Sequence, residues 1–155
     1  RPAATSRSPS PSRTTDVARA IVRVLLGAAL AFAGIGHLTF ARTEFQAQVP
    51  GFVPLDPDVT VLASGVVEIV LGIALIVVRR HRALVGWIVA AFFVAVFPGN
   101  IAQWAEGRDG FGLDSDAARF GRLFFQPVLV AAALWSTGAW DALRRRWRAR
   151  RRPAA

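Results

Sequence analysis

Residues 59–78 read VTVLASGVVEIVLGIALIVV, and residues 79–82, RRHR, follow at once. Twenty residues with one charge match the length a helix needs to cross about 30 Å of hydrocarbon. Four residues in which three arginines flank a histidine then stop the crossing. A second apolar run begins directly after them, at residue 83, and continues to about 101. Two spanning helices joined by a short basic turn therefore set the frame. A first run at about 18–37 and a fourth at about 117–140 complete it. The expected fold is all-α: a polytopic membrane bundle of four helices. The fourth run is the most polar, with Arg119, Arg122 and Gln126 in its first three turns.

The rest of the composition agrees. The chain has 155 residues, 54% of them hydrophobic, with mean hydropathy +0.40. Its formal charge of +9 is concentrated at the two ends and in short breaks, which points to a membrane surface rather than nucleic acid. All 19 basic residues are arginine. Residues 1–15 are Pro-, Ser- and Arg-rich and are expected to form a disordered basic tail. They are not expected to be a cleaved leader, since no cleavage-type site follows the first apolar run. Residues 16–143 form the membrane domain and 144–155 a second basic tail.

Orientation follows from arginine placement. With the N-terminus inside, fifteen arginines fall on the inner side and four on the outer side. Both termini and the 79–82 turn are thus expected in the cytoplasm of a bacterium, with the protein in its inner membrane. The connection 38–58 is then outside. It carries Phe40, Phe45 and Phe52 among Pro50, Pro54 and Pro57, which reads as a short interfacial helix followed by an extended turn. The arginines between Arg144 and Arg152 read as an anchor held by anionic lipid.

Polar side chains within apolar spans are costly and informative. Glu68 lies about 13 Å along its helix from the outer end at 1.5 Å per residue. It shares a face with Ser64, Gly65 and Gly72, small residues that admit a neighbouring helix. On the first helix Ala33 and Gly34 offer a similar patch, expected to be short because Leu30 occupies the next turn. His37 ends that helix. Asn100, Gln103 and Trp104 end the third, after a Pro98-Gly99 pair expected to kink or unwind it. Arg122 and Gln126 lie one turn apart on the fourth, and Pro127 frees the Leu123 carbonyl. All these groups fall in the outer half of the bundle, which implies a polar pocket there. Glu68 and His37 are its candidate proton-exchanging residues. Asn100, Gln103, Trp104, Arg122 and Gln126 are the candidate ligand-binding residues. Plainer roles compete: a Glu68–Arg122 ion pair fixing register, a packing histidine, an Asn100 cap, a Gln126 repair of the proline gap.

With no cysteine, there is no disulfide, thiolate site or Cys-x-x-Cys pair. Haem, flavin and nucleotide motifs are also missing, and His37 with Glu68 falls short of the three protein ligands a stable metal site usually has. No metal is expected, and any redox chemistry must come from a bound cofactor, such as a quinone, or from a partner chain.

Four segments in order resemble one family. They are GIGHLTF at 34–40, VPGFVP at 49–54, SGVVEIVLGIAL at 64–75 and FPGNI at 97–101. Together they are similar to the DoxX-like family of small four-helix bacterial membrane proteins, over roughly residues 20–140. Glu68 and Asn100 match recurrent polar positions of that family and His37 a common one, without an agreed catalytic role. The resemblance implies a subunit of a quinone-linked membrane oxidoreductase, as in thiosulfate:quinone oxidoreductase. It equally admits a non-catalytic assembly or accessory subunit, or a binder of a lipid-like ligand. A partner protein or homo-oligomer is implied in the first two cases.

Overall fold

The computed structural model describes residues 13–112 and 115–151; most of the expected N-terminal tail and the last four residues lie outside that range. The described chain is helical with no strands among the described residues. Seven helices are α1 (Arg13–Leu38), α2 (Arg42–Gln46), α3 (Pro57–Val77), α4 (Arg82–Ala105), α5 (Asp116–Leu123), α6 (Phe125–Ser136) and α7 (Ala139–Arg150). Four segments are long and apolar enough to cross a membrane: α1, α3, α4, and α5 with α6 taken together. Large apolar side chains cover their outward faces, among them Phe32, Val70, Val94 and Phe125. Water would not tolerate four such surfaces on one small bundle, whereas hydrocarbon favours them. The chain thus reads as a multi-pass membrane protein.

The boundaries depart from the sequence reading in four places. Residues 13–15, expected in the tail, are already helical. α4 runs unbroken through Pro98 to Ala105, so the expected unwinding there is replaced by one continuous helix. The fourth run is broken twice. At Phe124 the amide bonds back three residues to Gly121 at 3.2 Å, a local tightening just before Pro127, whose missing amide cannot continue the ladder. The second break is Gly138, with φ +70°, the left-handed conformation that glycine adopts at helix ends. Helix α6 therefore ends at Ser136 rather than near 140. Beyond these boundaries, the basic segment after 143 is part of α7, which places Asp141 2.6 Å from Arg19 of α1.

α1 packs along α3, α1 against α6, and α6 along α4, while α3 and α4 meet only sparsely despite being neighbours in the chain. The α1–α3 crossing is the tightest. A Cβ built on Gly27 would lie 2.7 Å from the Gly72 carbonyl, and one on Gly34 would lie 2.5 Å from the Gly65 carbonyl. The two pairs are seven residues apart on each antiparallel helix, so one small-residue stripe serves both turns. The α1 patch therefore extends past Leu30 to Gly27. Leu30 instead joins Leu26, Leu75, Val89, Phe93 and Ala133 in the apolar core. That core runs from the middle of the bundle, where Leu26, Leu30 and Phe93 also floor the cavity described below, toward the α3–α4 turn. The opposite end, under the long α1–α3 connection, is where the polar residues lie.

Candidate functional site

A cavity of about 380 Å³ occupies the long-connection end, and α1, α3, α4, α5 and α6 all contribute to its wall. Five residues singled out in the sequence line it: His37, Glu68, Asn100, Arg122 and Gln126. Gly65 positions the first two. Its missing side chain leaves room for His37, whose Cβ lies 2.6 Å from where a Gly65 Cβ would stand. The His37 Nδ1 is 2.8 Å from the Ala33 carbonyl oxygen and 3.0 Å from Glu68 Oε2. A carbonyl only accepts, so Nδ1 carries a proton directed at Ala33. One N–H cannot align with both oxygens, and Glu68 Oε2, although within ion-pair distance, is buried without a well-directed hydrogen bond among the described residues. The pair is close but imperfectly satisfied. The imidazole stacks on Phe45 with centroids 3.4 Å apart, which fixes its plane.

On the far wall a chain of amides ties α4 to α6. Gln126 Nε2 donates to the Phe93 carbonyl at 2.5 Å, in the turns just before Pro98. Its oxygen must then face Asn100, whose Nδ2 donates to it at 3.1 Å. Asn100 Oδ1 takes no hydrogen bond among the described residues and remains a free acceptor. Asn100 therefore braces α4 against α6 rather than capping α4, because the helix runs on past it for another turn.

Arg122 does not pair with Glu68, the alternative the sequence left open; among the described residues it meets no carboxylate. Its guanidinium lies over the Phe111 ring at 5.0 Å and donates from both Nη atoms, at 2.8 Å each, to the Gln48 amide oxygen when that oxygen faces it. A guanidinium has donors only, so that orientation of the amide is the satisfied one. Gln103 and Trp104 do not line the cavity. Gln103 is fully buried, with its Nε2 unpartnered among the described residues, and the Trp104 ring packs on Phe120 at 5.6 Å.

Gln48 is the site residue that sequence reasoning missed. It belongs to the 38–58 connection, which closes over the cavity. Arg108 Nη1 donates to the Val49 carbonyl at 2.7 Å, Glu44 Oε2 accepts from the Phe111 amide at 2.6 Å, and Asp58 accepts from Gln46 at 3.0 Å. Asp58 also pairs with Arg42, holding that guanidinium above its ordinary value. The signal for Gln48 was Gly99: a Cβ there would stand 2.4 Å from the Gln48 carbonyl oxygen. A glycine inside a helix, with no unusual dihedral to explain it, marks the close approach of other backbone.

A family model described as "Domain of unknown function (DUF8561)" matches residues 26–137. The chain belongs to that family. The DUF8561 region holds the whole cavity wall and all seven residues singled out above, and leaves α7 and the start of α1 outside it. No curated protein and no solved structure matches the chain. Among the described residues no cluster of three or more His, Cys, Asp or Glu side chains could hold a metal ion.

Proposed function

We propose that this is a DoxX-like subunit of a quinone-linked oxidoreductase in a bacterial inner membrane, with both termini cytoplasmic and the cavity toward the outer leaflet. The observation that carries the reading is the convergence of His37, Glu68, Asn100, Arg122 and Gln126 on one cavity beside the sparse α3–α4 contact. Its volume falls within the range of small-molecule sites. An apolar molecule with a polar head suits a chamber that sets these polar groups beside apolar wall residues such as Leu30, Phe93 and Leu129.

The residues present fit a quinone head. Arg122 has donors for a carbonyl oxygen, and the free Asn100 Oδ1 can accept from a hydroxyl. A quinone supplies two-electron, two-proton chemistry when bound, and the electrons belong to a partner chain. The protein's own part is to orient the head and to exchange protons. His37 Nδ1 is committed to Ala33, so Nε2 is the ring atom free to take or give one, and Glu68 lies beside the ring.

Equilibrium binding of a short-chain quinone to the purified protein in lipid nanodiscs tests this. Wild type should bind saturably. Arg122→Gln should bind roughly tenfold or more weakly, the loss of one hydrogen bond to a charged donor. Glu68→Gln should bind but fail to complement a deletion strain. Absence of saturable binding in the wild type, or Arg122→Gln binding unchanged, would sink the proposal. A stoichiometric partner without a redox centre in native membranes would favour the accessory-subunit reading instead.

A further inference from the structure

The opposite end of the bundle carries a separate cationic cluster. The α1–α3 register that pairs Gly27 with Gly72 places Arg23, one turn earlier on α1, beside Ile76, at the end of α3. There Arg79 and Arg82 lie close enough for their charges to act on Arg23. Among the described residues none of the three forms an ion pair, and Arg23 Nη1 is buried with no hydrogen-bond partner. The start of α4 adds to the same field. It opens at Arg82 behind His81, with no side-chain cap and no acid in its first turn.

Each feature is unfavourable alone. Cations at a helix N-terminus oppose its dipole, like charges repel, and a buried donor without an acceptor costs free energy. A tetrahedral oxyanion resolves all three, since it accepts from guanidinium groups and from free helix amides together. Asp141 of α7 is taken by Arg19, and Asp16 of α1 forms no ion pair with Arg23, Arg79 or Arg82 among the described residues.

We propose that Arg23, Arg79, Arg82 and the first turn of α4 form a binding site for a phosphate group, at the end of the bundle away from the cavity. The phosphate can be carried by an anionic membrane lipid or be free in solution. The site is independent of the quinone reading and of the arginine-rich α7.

Thermal unfolding in a zwitterionic detergent distinguishes the sources. Added phosphatidylglycerol should raise the melting temperature saturably, and phosphatidylcholine should not. Orthophosphate at matched concentration should do so only if the soluble anion is the ligand. The half-maximal concentration should rise roughly fivefold for Arg82→Gln and for Arg23→Gln, in keeping with the strength of one arginine–anionic-lipid contact. Arg82 is exposed, so its variant keeps the fold if Arg23→Gln does not. A chain with Arg144–Arg152 neutralised should retain the shift. The proposal is overturned if neither lipid nor orthophosphate shifts the wild type, if the shift survives in Arg82→Gln unchanged, or if it is lost only with the α7 arginines.

Discussion

Replacing Gly65 with alanine tests the helix crossing and the site together. The new Cβ would lie 2.6 Å from the His37 Cβ and 2.9 Å from the Gly34 carbonyl oxygen. Ordinary contact begins at 3.4 Å, so α1 and α3 must part by about 0.8 Å at this point or His37 must swing away. Neither neighbour is the free end of a flexible side chain. A gap of 0.5–1 Å forfeits about a quarter to a half of each contact's attraction along the stripe. Overpacking of this kind costs about 1–3 kcal/mol. At roughly 3 °C per kcal/mol for a chain of this length, that alone would lower the melting temperature by about 3–9 °C. The intrinsic preference of a helix for alanine over glycine, about 0.5–1 kcal/mol, works the other way and, set against the middle of that range, leaves a net loss of about 1 kcal/mol, a fall of about 3 °C. Gly121→Ala is the matched control: it also lies within a helix, but a Cβ there meets nothing within 4 Å. Detergent melts of both variants should move in opposite directions, down for Gly65 and level or up for Gly121. Gly65→Ala melting with the wild type would refute the close crossing, and with it the account of how His37 reaches Glu68.

Gly99→Ala should act on the roof of the cavity, because its Cβ would meet the Gln48 carbonyl at 2.4 Å. Faster amide exchange across residues 47–53, with quinone binding weakened and the melting temperature little changed, is the expected outcome; an unperturbed loop would count against the packing. For orientation, single cysteines at Gly51, His81 and Asp109, all exposed, should react with an impermeant reagent on intact cells at 51 and 109 only. Labelling at 81 alone would invert the topology. Asn100→Ala should remove the brace between α4 and α6 and strand the Gln126 oxygen, lowering stability by about 1–3 kcal/mol. Asn100→Asp should not restore it, since a carboxylate has no donor for that oxygen; equal stability of both variants with wild type would show the brace to be idle.

Much of this protein is one-dimensional information. Apolar length and arginine placement specify four crossings because a bilayer demands that each span satisfy its own backbone and keep its charges at the ends. The same logic made Glu68, His37, Asn100, Arg122 and Gln126 conspicuous: polar groups inside apolar runs have few other reasons to be there. What the sequence could not decide was who meets whom. Glu68 could have paired with Arg122 or with His37, and the choice was made by Gly34 and Gly65, which bring α1 against α3, and by Gln48, which engages Arg122. Partner choice depends on helix crossing and loop closure, which lie in contacts between residues distant in the chain. Gln103 and Trp104 follow Asn100 by one turn on the same face of α4, yet the cavity wall ends at Asn100, while Gln103 is buried beside Gly110 and Trp104 packs on Phe120, contacts that only the packed bundle sets. The breaks at Phe124 and Gly138 were half legible, since Pro127 and a glycine signal interruption but not its place. Arg23 was read as one more inner-side charge; the α1–α3 register alone sets it beside Arg79 and Arg82.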